Sequence, residues 1–416
     1  MESNNLIKYQ NNQLQKASNS IAITSKLLVK AETQLIPYRK GNKWGFCTPN
    51  KKIVVDCIYD DVNFSHLKPF FKENFAAVCN SNKWGYVDKK GDLVIPCIYD
   101  SVQNFKEGLA NVKTNNKRGF IDKNGELVIP FIYDSVNDFS EDLAAIVINE
   151  KMGFIDKKGE LVIPCIYQKA GSSDGIPFGY FKEGLAKVKI YDKWCDKWCF
   201  IDKRGQIAIP FIYGYHEVSS FSEGLAKVET YNQSGIRKSG FIDKNGELVI
   251  TFIYDSAGDF SEGLAAVEIN DKWGFIDRKG SLIVPCTYNK VTDFAEGLAG
   301  IQVNNKWGFI DKAEALVIDT IYGNVGNFSE GLAAVEIDNK WGFVDKKGEL
   351  VIANIYKSVQ NYSNGIALVK INRFWEYGYI DKKGTKYWEG KKYGYASAAE
   401  SLSIYSKMQN EKSPLK

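Results

Sequence analysis

One phrase recurs along the chain, and nothing else constrains its fold as strongly. It reads Gly-Phe-Ile-Asp-Lys-Lys-Gly-Glu-Leu-Val-Ile-Pro-x-Ile-Tyr-Asp-Ser-Val-x-x-Phe-Ser-Glu-Gly-Leu-Ala-Ala-Val, anchored by Lys-Trp-Gly-Phe. The anchor glycine position falls at Gly45, Gly85, Gly119, Gly153, Cys199, Gly240, Gly274, Gly308, Gly342 and Gly378. Successive gaps are 40, 34, 34, 46, 41, 34, 34, 34 and 36 residues. Length alone, 416 residues, suggests two or three independent domains. The period replaces that picture with one array of small units.

Each unit reads as β structure. Leu332 to Ile337 alternates up to a polar Asp338-Asn339 turn, and Lys340 to Val344 forms a second short strand. Asp345-Lys346-Lys347-Gly348 is a turn, in which Asp bonds its own backbone and Gly supplies positive φ. A third strand runs to Tyr356, and Asp-Ser-Val-x-x-Phe-Ser-Glu-Gly adds a brief fourth. Pro96, Pro130, Pro164, Pro210 and Pro285 interrupt the third strand, so it should end, bulge or lie at an edge. Helical tetratricopeptide repeats share the 34-residue period, but they need apolar spacing of three and four over ten residues or more. Here apolar runs last five to seven residues before Gly, Pro or Asp-x-x-Gly cuts them. High aromatic content (13%), 36 Gly and only 10 Pro fit many short strands and exclude disorder.

The motifs Lys-Trp-Gly-Phe-Ile-Asp, Gly-Glu-Leu-Val-Ile-Pro and Phe-Ser-Glu-Gly-Leu-Ala resemble the WG-repeat, or KWG-repeat, family of bacterial proteins over residues 36–385. The resemblance implies a bacterial β-repeat protein and carries over no catalytic residue. A unit of three to four strands cannot bury its own apolar face, so neighbours must cover one another. An open superhelical array is favoured over a closed propeller-like ring, because ten units exceed the usual four to eight blades. The expected organisation is a cap or tail at 1–35, the repeat array at 36–385 with an expanded unit at 168–200, and a cap helix and tail at 386–416.

Repeated side chains divide into architecture and candidates for binding. Trp44, Trp84, Trp273, Trp307 and Trp341 pack as core or form an aromatic ladder for sugars; packing is favoured, although Arg118, Met152 and Ser239 share the position. The turn acids, Asp88 to Asp381, each precede Lys or Arg and so read as turn caps, not as calcium ligands. Glu73, Glu107, Glu141, Glu183, Glu223, Glu262, Glu296 and Glu330 should satisfy the backbone of the next unit. Lysine pairs such as Lys346-Lys347 read as a solvated edge. Cys57, Cys97, Cys165 and Cys286 alternate with Phe at one position, which indicates packing and reduced thiols. Cys195, Cys199 and His216 make a weak metal candidate.

Departures from the period say more about binding than the repeats do. The loop 171–180 adjoins the doubled phrase Asp192 to Cys199 and precedes the 230–238 expansion. Loops on a rigid scaffold concentrate binding residues. Asp174, Phe178, Tyr180, Trp194 and Trp198 are therefore the candidate partner contacts. With two histidines and no nucleophile or phosphate-loop motif, no enzyme activity, cofactor or metal is expected. Net charge of +4 gives no reason to expect nucleic acid, and no apolar run is long enough to span a membrane. The expectation is a cytoplasmic scaffold for protein partners, with carbohydrate or cell-envelope binding as the alternative.

Overall fold

The computed structural model describes residues 34–62, 71–168, 179–192, 195–210, 215–232, 234–371 and 376–390; of residues 191, 192, 195–197, 215 and 216 it describes the backbone alone. The expected N-terminal cap, apart from Gln34 and Leu35, and the expected helix after residue 390 lie outside these residues.

The strands form ten sheets, nine four-stranded and one three-stranded. Blade 9 shows the plan. A two-residue inner strand (Asn324–Val325) pairs with Leu332–Ile337, which pairs with Lys340–Asp345, which pairs with the outer strand Leu350–Tyr356, all antiparallel. The chain then passes straight to the inner strand of the next blade, Ser358–Val359. The proline-bearing third strand is the sheet edge, where a missing N–H costs nothing.

The open array favoured above gives way to a closed ring. The first blade has Ile36–Lys40, Lys43–Cys47 and Ile53–Tyr59, and its inner position is filled from the far end of the chain. Trp388–Glu389 pairs in parallel with it, Arg39 opposite Trp388 and Lys40 opposite Glu389. In blade 10 an outer strand is only begun, by one bridge between Ile380 and Lys386. Arg39 reaches across from blade 1 instead, donating to Tyr377 O at 3.1 Å and to Glu376 Oε1 at 3.2 Å. Size statistics for propellers misled here because closure depends on the rotation between blades, not on the length of one.

No blade has a core of its own. Leu225, Phe241, Ile250 and Tyr254 of blade 6 pack against Ala257, Phe260, Ala265, Val267 and Ile276 of blade 7, and every other seam repeats this pattern. The Phe of Lys-Trp-Gly-Phe meets the Phe or Tyr that precedes the next blade's turn. Phe241–Phe260, Phe275–Phe294 and Phe309–Phe328 stand edge to face at 5.0, 4.7 and 4.9 Å. Such contacts add about 0.5–1.5 kcal/mol each beyond the area they bury. Trp44 and Tyr379, at 6.1 Å and 71°, make the corresponding contact across the closure.

The glycine of the anchor is required by close approach. A register shift between Trp341 and Phe343 brings the outer strand's carbonyl onto its Cα, so a Cβ on Gly342 would lie 2.3 Å from Ile352 O. Gly342→Ala is expected to separate the two strands, with a thermal midpoint several degrees lower, on the scale of about 1–3 kcal/mol for overpacking. Where Cys199 takes this position, pairing with the outer strand is described only at Phe200–Ile209 and Ile201–Ile207.

Candidate interaction face

Because strands consecutive in the chain within each blade run antiparallel, their turns sort onto two faces. The turn after the inner strand and the Asp-x-x-Gly turn share one face. The central hairpin and the link to the next blade share the other. On the first face Asp345 Oδ1 accepts the N–H groups of Lys347 and Glu349, both at 2.9 Å, and each turn acid does likewise. These aspartates cap turns, as their sequence context implies.

The glutamate row holds the seams on this face. Glu262 Oε1 and Oε2 accept the N–H groups of Glu296 and Gly297 in the next blade at 2.6 and 2.9 Å, and Lys312 Nζ lies 3.3 Å away. Glu73, Glu107, Glu141, Glu183, Glu223, Glu296 and Glu330 repeat the contact with the next blade's turn. Each of these glutamates has φ between 51° and 55°, which is unfavourable for a side chain with a Cβ. The contact across the seam offsets that strain. Lys123, Lys157, Lys203, Lys244, Lys312, Lys346 and Lys382 thus pair across seams instead of forming a purely solvated edge.

Burial pushes the Glu262 carboxyl up, but the Gly297 N–H and Lys312 outweigh it and hold it below the usual range. Glu73, Glu183 and Glu296 are lowered by the same balance. A depressed folded-state value means stability that is complete above the unfolded value, near 4.3, and is lost as pH falls through the folded one. Urea midpoints should therefore hold down to about pH 5 and fall below it. Glu262→Gln with Glu296→Gln should lower the neutral-pH midpoint and flatten that acid limb.

The opposite face carries the departures. Regular central hairpins close with two residues in left-handed conformation, such as Asp338 and Asn339 at φ 50° and 59°. Their lysines pair with the following link: Lys43–Asp60, Lys83–Asp100 and Lys117–Asp134 at 2.5–2.6 Å. In blade 5 the hairpin lengthens to Leu185–Asp192 and Cys195–Ile201, and in blade 6 to Leu225–Tyr231 and Arg237–Asp243. Residues 169–178, between blades 4 and 5, lie outside the described residues. The two lengthened hairpins of neighbouring blades stand on the same face and form a crest.

Side-chain chemistry changes along this crest as well. In blade 5, Lys187 donates to Val218 O at 2.6 Å and stands 4.5 Å over the Trp198 ring, with Lys189 at 5.5 Å. Burial lowers the Lys187 ammonium's proton affinity. In blade 6, Ser239 replaces the tryptophan, and the carboxylate of Glu229 opposite it is fully buried. Arg237 Nε and Lys227 Nζ approach that carboxylate at 2.7 and 3.1 Å. An ion triad here replaces an aromatic ring.

Of the candidate contacts, Tyr180 is 46% exposed but lies beside the Glu183–Gly184 turn, towards the glutamate face, whereas Trp198 is half-buried against the blade 5–6 core beneath its lysines. Asp174, Phe178 and Trp194 lie outside the described residues. Tyr231 and Ile236, flanking the blade 6 hairpin tip at 52% and 54% exposure, were not singled out from sequence. The 41-residue gap before Gly240 was their only signal. The Trp row is no open ladder: Trp44 and Trp307 are buried, and Trp84, Trp273 and Trp341 are half-buried against core clusters. The seven described cysteines form no disulfide, and burial pushes Cys199 up to about 11. Among the described residues no three His, Cys, Asp or Glu group as metal ligands, and no helix is long and apolar enough to cross a membrane.

Four-stranded blades, shared seams and an end-to-end closing strand define a ten-bladed β-propeller with one elaborated face. The chain belongs to the WG containing repeat family, whose model matches nine segments: 44–84, 84–117, 119–151, 152–194, 198–232, 240–273, 273–307, 307–341 and 341–375. A search of curated proteins found no match. Among solved structures it is similar to a eukaryotic initiation factor, with 11% identity, TM-score 0.48 and coverage of 85% of this chain and 95% of that one. It is also similar to the dihydro-heme d1 dehydrogenase NirN, with 12% identity, TM-score 0.34 and 67% and 72% coverage. A third is the WD40 propeller domain of Doa1, with 10% identity, TM-score 0.26 and 56% and 88% coverage.

Proposed function

We propose that this ring is a non-catalytic scaffold that binds a protein partner through the crest of blades 5 and 6. The observation that carries the reading is that the lengthened central hairpins of the adjacent blades 5 and 6 stand on one face, while the opposite face repeats the glutamate contact at eight consecutive seams. Exposed Tyr231 and Ile236 supply apolar contact area there, and aromatic anchors dominate most protein interfaces. Carbohydrate binding is the weaker reading, because ladder rings must face water and the tryptophans here lie in the seams. The test is affinity capture with the intact chain beside a variant in which 231–236 is replaced by Asp-Asn. Loss of the captured proteins from the variant, with the thermal midpoint unchanged, is expected. Identical capture by both would defeat the reading.

A further inference from the structure

We propose that the ring opens at its first blade, which detaches as a unit while the other nine stay assembled. Eight consecutive seams, from blade 2 to blade 10, carry the glutamate contact with the next blade's turn. The two seams that border blade 1 lack the residues for it in the sequence. Thr33 and Gln34 stand where other blades have Glu and Gly, and Asn364 replaces Glu in blade 10. Pro49 stands where the cross-seam lysine would be. At the closing seam, Gln34 Nε2 donates to the Asn364 carbonyl instead, a contact without charge.

Covalent connection points the same way. Blades 2 to 9 are each tied to two neighbours by the chain, whereas the three N-terminal strands of blade 1 are tied by the chain only to blade 2. Their hold on the C-terminal end includes two strand-pair positions, the Arg39–Glu376 pair, Arg39 Nε on Tyr377 O, the Tyr38–Glu389 hydrogen bond at 2.6 Å, the Tyr387 hydroxyl on Pro49 O, and the Trp44–Tyr379 contact. Blade 1 can therefore swing out without breaking any other seam. Opening would bare Tyr38, Trp44, Leu368 and Tyr379, all buried in the closed ring.

Hydrogen exchange of the full chain under native conditions, read by mass spectrometry, tests this. Amides of Ile36–Cys47 are expected to exchange on the order of tenfold to a hundredfold faster than those of Leu298–Val303 and Leu332–Ile337, the scale set by losing charge-assisted contacts. Equal protection of the three segments overturns the proposal. Transplanting the contact with Gln34→Gly and Asn364→Glu should slow exchange in Ile36–Cys47 alone. A folded double variant with unchanged exchange there also overturns it.

Discussion

Truncating Phe309 to alanine is expected to lower the unfolding free energy by about 3–5 kcal/mol, the cost of emptying a fully packed aromatic site. Phe309 is wholly buried, and its ring meets Phe328 of the next blade at 4.9 Å within a cluster shared by blades 8 and 9. The loss falls on a seam, because that is where the apolar surface is buried. Leu316, on the outer strand a few residues on, is 54% exposed. Its truncation should change stability by only about 0.5 kcal/mol. Urea unfolding of both variants measures the contrast. Similar losses at the two sites would mean that the core does not lie between blades.

Removing one partner of the Arg39–Glu376 pair should cost about as much, roughly 3–5 kcal/mol, because the other charge stays buried without its counter-ion. The Arg39 side chain is fully buried, and burial disfavours its charged form while Glu376 opposes that shift. Its guanidinium also donates to Gly41 O at 2.6 Å and to Tyr377 O. Arg39→Ala and Glu376→Ala should therefore each destabilise strongly. The double variant should lose less than the sum, because it leaves neither charge stranded. Thermal unfolding of the three variants provides the cycle, and additive losses would show that the two charges are not coupled.

Much of the molecule was legible before its fold was known. Asp345, Gly348 and the alternation of Leu332–Ile337 announce a turn and a strand through chemistry local to a few residues, and those elements form as read. Glu262 and its counterparts were also legible. A carboxylate repeated in register must find donors, and the next repeat was the nearest source. The half-burial of Trp198, a candidate contact, was not legible because sequence does not show which side of a strand faces the neighbouring blade. Tyr231 and Ile236 went unnoticed because one lengthened hairpin gains meaning only beside another.

By itself the sequence determined the unit: four short strands, their turns, their order, and the need for each unit to be covered by the next. These follow from backbone preferences and side-chain patterning over 34 residues, where interactions are local. Only the tertiary structure decided that ten such units meet end to end and that Arg39 lies against Glu376, 337 residues away. It alone placed the lengthened hairpins of blades 5 and 6 on one face. Closure is the sum of small rotations at every seam, a property of how whole faces pack, and no single repeat encodes that sum.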